Sequence, residues 1–580
     1  MKKSTKIISL ILSFIMIFTL VSCEDVNNAN EQISFNDYLS TEFKDFVTSD
    51  SITLHYMLKN PSNYGIEDFK PTLGDIDLAT LEQDEESISD ELDGLKQFNY
   101  NSLTEDQKLT YDVIKGYLET EEKAKGFTYY QSVLSPTIGL QAQLPVTLAE
   151  YKFYTKKDVD DYIEILNLLK AYFEGIIGFE QAKSAKGLFM SDSAVDAIIS
   201  QCNDFIANPE NNFLIKTFDS RLDVLSDLTE VEKNTYKNNN KKAVLEEVIP
   251  TYQNLVTELQ KLKGSGENTG GLCNFEKGKE YYEYLVASNT GSSQSPDELN
   301  DILDERIDSL FSEMHSLLTK SPDLLTTFGQ EDYGLTEPSD ILVALKERIT
   351  SYYPEAPNAT YNIKYVDPSL EKNLSPAFFM IPPIDDFENN TVYINKSQID
   401  GLTLFPTLAH EGYPGHLYQT TYFNSTNPSP IRTVLNFGGY SEGWATYVEL
   451  QSYELANFDN PDLVKLLQTY SEITLALPTR IDIGVNYEGW DIEYTKKYIS
   501  DLGFDTTYAD SIFTSVTQEP ANYLKYYVGY LEFNATKGYA EKKLGNKFVL
   551  KDFNKILLDV GPAPFPVIRK QVDKYIKDTK

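Results

Sequence analysis

The sequence predicts a mainly helical protein with one small β-sheet. Apolar residues recur at three- and four-residue intervals over about residues 35–350. A group of short β-branched or aromatic stretches, bounded by Pro, Asn and Asp, interrupts that pattern between about 356 and 400. The helical pattern returns from about 401 and runs to the end.

The N-terminus predicts a destination. Lysines at 2, 3 and 6 precede an apolar run from Ile7 to Val21, the n-region and h-region of a secretory signal. The run is short for a membrane span. Leu20-Val21-Ser22-Cys23 resembles a bacterial lipobox, which makes 1–22 a lipoprotein signal peptide and Cys23 the lipidation site. The polar segment 23–34 then reads as a tether. A soluble body anchored by lipid outside the cytoplasmic membrane is the expected arrangement.

The helical part, 35–350, carries its own punctuation. "TEDQKLTYDVIKGYLETEEKAK", "KKDVDDYIEILNLLKAYFEGIIGFEQAK" and "KKAVLEEVIPTYQNLVTELQKLKG" all have helical periodicity. Pro250 inside the last predicts a kink or boundary. In "SPDELNDILDERIDSLFSEMHSLLTK", Ser295 can cap, Pro296 suits the first turn and Glu298 completes a capping box. Cys202 and Cys273 read as two thiols, since a single pair makes no disulfide framework.

Residues 351–580 read as the catalytic region, expected to be continuous with 35–350. "ATYNIKYV", "AFFMIPP" and "NTVYINKS" are the strands of the small sheet. An exposed edge at "TVYINKS" would allow a peptide to add as a further strand, and plain sheet is the alternative.

The charge limits the partners. The formal net charge is −37, and an acidic body of this kind is a poor ligand for nucleic acid or an anionic lipid surface. With 41% hydrophobic residues and 40 tyrosines, it is no disordered acidic polymer.

The chemistry concentrates in "TLAHEGYPGHLYQTTY". The chain has four histidines, and His410 and His416 share one seven-residue window, with Glu411 directly after the first. His55 and His315 have no such company and read as structural or exposed. The usual zinc-peptidase spacing places two histidines four apart on one helical face. Six apart, they lie roughly 240° from each other on an unbroken helix of 3.6 residues per turn. Pro414 lacks an amide donor and Gly415 tolerates unusual backbone angles, so a two-residue bulge is expected to return His416 to the face of His410.

A catalytic zinc needs a third protein ligand and an open position. In "FGGYSEGWATYVELQSYE", Glu442 opens a predicted helix and Glu449 follows seven residues on, nearly on the same face. Glu442 is the candidate ligand and Glu449 the candidate acceptor orienting a histidine. A helix-start carboxylate favouring the dipole is the plain alternative for Glu442. Glu411 is placed to take a proton from the attacking water and pass it to the leaving amine.

HEGYPGH followed by SEGWATYVE resembles the bacterial domain-of-unknown-function 885 family, which is similar to the gluzincin metallopeptidases and has an H-E-x-x-P-G-H motif followed by E-G-W-A. Several weaker segments extend the resemblance over about residues 40–575, among them "MIPPIDDFENNTVYIN", "TRIDIGVNYEGWD" and "PANYLKYYVGYLE". The resemblance implies a gluzincin-like architecture, one zinc ion on His410, His416 and Glu442, and Glu411 as base. It also points to Tyr526, as a donor to the oxyanion, and to Arg480, as a clamp for a substrate carboxylate, with a core tyrosine and a surface ion pair as the plain alternatives. Tyr523 and Tyr527 stand close enough to blur the choice of Tyr526. Where the family commonly has D-x-G-x-H, this chain ends the pattern in Asn486, which donates a hydrogen bond but carries no imidazolium charge.

The expected function is therefore an extracytoplasmic, lipid-anchored zinc peptidase acting on peptides. A non-catalytic peptide- or nutrient-binding lipoprotein and a metal hydrolase of a non-peptide bond are the alternatives.

Overall fold

The computed structural model describes residues 23–580, apart from 267, 331, 367, 369, 370, 372 and 373. The expected signal peptide, 1–22, lies outside the described residues. Beyond it the chain is helical almost throughout, with one three-stranded sheet, as the periodicity predicts. No helix among the described residues is long and apolar enough to cross a membrane.

The segment expected to be a loose tether differs. Residues 23–34 begin a helix that continues to Val47. Phe35, Leu39, Phe43 and Val47, spaced by four, form one buried stripe on it. The stripe packs on Phe98 and Tyr111. The polar part is docked too: Gln32 Nε2 donates to Ser102 O at 2.8 Å, and Gln107 Nε2 donates back to Gln32 O at 2.8 Å. Polarity alone does not separate a tether from the outer face of a docked helix.

Glu42 lies on this helix beside Glu91 and Asp45. Burial first, then those two carboxylates, pushes its carboxyl up to about 7. A carboxyl with a raised folded-state pKa favours the fold most when protonated. That contribution is lost as the pH rises from the ordinary carboxyl range through about 7. Glu42→Gln is therefore expected to raise the thermal midpoint at pH 8 and to leave it nearly unchanged near pH 4.5. Thermal denaturation across that range checks this, and a variant less stable than wild type at pH 8 contradicts it.

The expected helices form, with the expected caps. Thr104 and Gln107 make a capping box at Glu105–Glu121, and Ser295 and Glu298 make one at Pro296–Lys320. Pro250 is accommodated without a break. A π-helical turn, Val244–Val248, joins Glu230–Ala243 to Ile249–Leu262 and absorbs the missing amide donor. Cys202, buried, and Cys273, half-buried, are both free thiols. His55 is buried flat against Tyr151, with ring centroids 3.6 Å apart, and His315 is exposed.

The sheet comprises β1 (Thr360–Tyr365), β2 (Ala377–Met380) and β3 (Asn389–Ile394), in the order β1-β3-β2. β3 runs parallel to β1, with Thr360 opposite Asn389, and antiparallel to β2, with Ala377 opposite Ile394. "TVYINKS" therefore supplies the central strand, and both its edges are occupied. The sheet's edges are β1 and β2 instead, and of these it is β2 whose Phe379 amide bonds to Glu411. The largest apolar cluster mixes Val113, Ile341 and Leu342 from the first region with Phe405, Trp444, Phe533 and Phe565 from the second.

Candidate metal centre

The helix Leu404–Glu411 buries Phe405, Leu408 and Ala409 and carries His410 and Glu411 in its last turn. A new helix, His416–Ser425, starts after four intervening residues. The expected bulge is thus replaced by a complete break and restart. Gly412 (φ −110°, ψ −101°) and Gly415 (φ −80°, ψ −137°) leave helical geometry, and the Tyr413–Pro414 peptide between them is cis. The turn is too tight for side chains at the glycines. A Cβ on Gly415 would lie 1.7 Å from His410 O, and one on Gly412 2.3 Å from a Leu342 methyl. Trp444, fully buried, donates its indole N–H to Pro414 O at 2.9 Å and ties the turn to the helix Gly438–Leu455. The two imidazoles meet with centroids 4.8 Å apart and planes 82° apart.

The helix Gly438–Leu455 presents Glu442 and Glu449 two turns apart. Glu442 Oε2 lies 3.3 Å from His416 Nε2 and 3.5 Å from His410 Nε2. Glu449 Oε2 lies 2.8 Å from His410 Nδ1 and accepts its N–H, which turns Nε2 toward Glu442. One donor atom each from His410, His416 and Glu442 falls within 4.8 Å of the others. This set fits a divalent metal. It is the His₂Glu composition of catalytic zinc sites, with one imidazole oriented by an outer carboxylate.

The electrostatics are those of a buried, mixed-charge cluster. Burial opposes a charge on His410, but Glu442 and Glu449 outweigh it and hold the imidazole well above its ordinary range. Burial also works against Glu442, yet the two imidazoles pull its carboxyl well below the usual carboxylate range. Glu411 goes the other way: burial raises it despite both histidines. Its Oε2 accepts the Phe379 N–H at 2.8 Å. Phe379 stands opposite Val392, but its amide donates to Glu411 and so points off the outer edge of β2, as alternate residues of an antiparallel strand do.

These groups line a cleft of about 790 Å³. Tyr526 closes one wall, its ring 6.4 Å from that of His410. It rides on the helix Leu524–Leu544, which crosses Gly438–Leu455 at glycine contacts. A Cβ on Gly443 would lie 2.4 Å from Gly529 C, so only glycine allows the approach that brings Tyr526 over the site. Its neighbours face elsewhere. Tyr527 donates to Glu472 at 3.0 Å, and Tyr523 packs beside Ile481 and Val516.

Two expected site residues are not brought to the cleft. Arg480 is buried against Trp490, away from the cleft lining, and its guanidinium charge is already paired with Asp304 at 2.7 Å and Glu488 at 3.2 Å. Asn486 is wholly buried. It donates to Asp482 Oδ1 at 3.0 Å and Val516 O at 2.9 Å, and it accepts from Leu272 N at 3.0 Å. Asp482 in turn accepts the amide of Ala521, so Asn486 belongs to a polar hub holding the turn before the Tyr526 helix. The Phe379 amide, the Trp444 tie and the Gly443–Gly529 crossing were not anticipated. Glycines inside helical patterns were the available signal, because they weaken a helix unless close packing requires them.

A family model described as "Bacterial protein of unknown function (DUF885)" matches residues 61–572. Among curated proteins none matches. Two solved structures are similar in fold. One, a candidate lipoprotein from Colwellia psychrerythraea, is 18% identical with a TM-score of 0.83. The other, a candidate lipoprotein of unknown function from Shewanella oneidensis, is 17% identical with a TM-score of 0.59. Each comparison covers 94% of this chain and 99% of the other.

Proposed function

The chain belongs to the DUF885 family of bacterial proteins, and we propose that it is a zinc-dependent peptidase held outside the cytoplasmic membrane by a lipid on Cys23. The observation that carries this reading is Glu411. A carboxylate sits beside a His₂Glu donor set at the head of a cleft, with one oxygen held by a strand amide. A binder of peptides or nutrients needs no such base beside its ligands. The lipobox and the two similar structures described as candidate lipoproteins support the anchor.

His410, His416 and Glu442 would hold the ion, which when bound supplies a Lewis acid and lowers the pKa of a water. Glu449 keeps His410 in the tautomer that offers Nε2. The outer edge of β2 receives the peptide backbone by strand addition. Glu411 takes a proton as the water oxygen bonds to the scissile carbonyl carbon. It returns that proton to the amine nitrogen as the C–N bond breaks. Tyr526 donates its hydroxyl hydrogen bond to the carbonyl oxygen as that oxygen gains charge.

The test is metal analysis of the full chain purified in detergent, followed by digestion of a peptide library. One zinc per chain and cleavage lost in Glu411→Gln support the reading. A wild-type protein without stoichiometric metal sinks it. Removing the outer acceptor gives a graded check: Glu449→Ala is expected to weaken zinc binding about 10–100-fold, read by competition with a chelator. Unchanged affinity would show that His410 needs no orienting partner.

A further inference from the structure

The cleft lining is rich in acids and nearly bare of lysine and arginine. Glu121, Glu411, Glu442 and Glu449 all line it, and Lys525 is its one lysine or arginine among the described residues. Lys525 sits in the first turn of the helix Leu524–Leu544, directly before Tyr526. Its stem runs along Gly438, close enough that a Cβ there would lie 3.4 Å from Lys525 Cδ. Its ammonium stands 5.3 Å from the centroid of the Tyr526 ring.

This lysine has no ion-pair partner within 4.0 Å among the described residues. Glu519 feels its charge, but that carboxylate accepts the backbone amides of Thr137 and Ile138, at 3.4 Å each. Glu121 accepts the Tyr284 hydroxyl at 2.8 Å and the Ser288 hydroxyl at 3.1 Å. An ammonium without a carboxylate partner, and the one lysine or arginine of the cleft lining among the described residues, is the group there that can receive an anion arriving with the ligand. The position of Lys525 limits which anion. Through Tyr526 it stands within two ring-sized steps, of 5.3 Å and 6.4 Å, of the His410 imidazole. That is at most three to four residues of extended chain, at roughly 3.3–3.6 Å each.

We propose that Lys525 binds the C-terminal carboxylate of the peptide, so that the enzyme releases short C-terminal fragments of up to about three residues. This rests on the peptidase reading and assigns to Lys525 the role that the committed guanidinium of Arg480 leaves open. Lys525 selects and positions substrate and takes no part in the proton transfers. The same ammonium could take an acidic side chain, and the test separates the two sources of carboxylate.

Binding is measured by calorimetry on the full-length, zinc-loaded Glu411→Gln protein, so that it is read whether or not the wild type turns over. The probes are one uncharged-side-chain peptide as the free acid, the same peptide as the C-terminal amide, and that amide with an internal Glu. The free acid is expected to bind at least about tenfold tighter than the amide. Lys525→Gln should abolish that preference and Lys525→Arg should keep it. In the wild type, the Gln substitution should raise KM for free-acid peptides and spare kcat. Equal binding of acid and amide, or a preference that survives Lys525→Gln, overturns the proposal. So does recovery of full affinity by the internal Glu, which assigns Lys525 to acidic side chains instead. Cleavage of amidated peptides at interior bonds would overturn it while leaving the peptidase reading intact. Absence of cleavage from every peptide, with the acid preference still present in binding, would overturn the peptidase reading and the release of fragments with it, and would leave Lys525 as a carboxylate-binding group.

Discussion

Glu411→Gln is expected to lower peptide hydrolysis by about 10²–10⁴-fold, the usual contribution of a positioned general base. The substitution is close to isosteric. The glutamine carbonyl can accept the Phe379 amide that Glu411 Oε2 now accepts at 2.8 Å, so strand β2 and the helix end stay where they are. Zinc content should hold, because the three donor atoms come from His410, His416 and Glu442. Stability should not fall. Burial opposes the charge on Glu411, and the amide removes that charge without removing its hydrogen bond. The informative result is the combination of full metal, unchanged thermal midpoint and lost turnover. Retained turnover with full metal would mean that another group takes the proton, and the base would have to be sought elsewhere in the cleft.

Much of this centre is legible in the sequence because its parts are local. Glu442 and Glu449, seven apart, share a helical face by periodicity alone. His410 and Glu411 are adjacent. What sequence spacing cannot carry is the partner of a residue far away in the chain. Arg480 looks available until Asp304, 176 residues upstream, is seen against its Nε. Asn486 looks like a substitute for a catalytic imidazole until Leu272 and Val516 are found on its side-chain amide. Strand order fails for a related reason. β3 is last in sequence, which suggests an edge, yet the parallel return from β1 puts it in the middle and leaves β2 facing the cleft. The same limit hid Lys525, whose importance rests on the lack of an ion-pair partner within 4.0 Å among the described residues.

Gly415→Ala is expected to cost about 1–3 kcal/mol of stability or more, and to abolish zinc binding at the histidine pair. The new methyl would fall 1.7 Å from His410 O and 2.4 Å from Ala409 O. Both are backbone atoms of the helix that carries the first ligand, so no side chain can rotate to make room. Relief requires the turn to open, and opening it moves His416 away from a ring now 4.8 Å distant. The Trp444 bond to Pro414 O would be disturbed with it, and that bond links the turn to the helix bearing Glu442. Gly538→Ala is the control. It lies on the exposed side of the helix Leu524–Leu544 with nothing within 4 Å of its would-be Cβ, and the same change there should stabilise by roughly 0.5–1 kcal/mol. Opposite signs at the two glycines would tie the six-residue histidine spacing to the break between the helices. If Gly415→Ala kept its zinc and its thermal midpoint, the turn would be looser than these contacts allow, and His416 would reach the ion by some other backbone path.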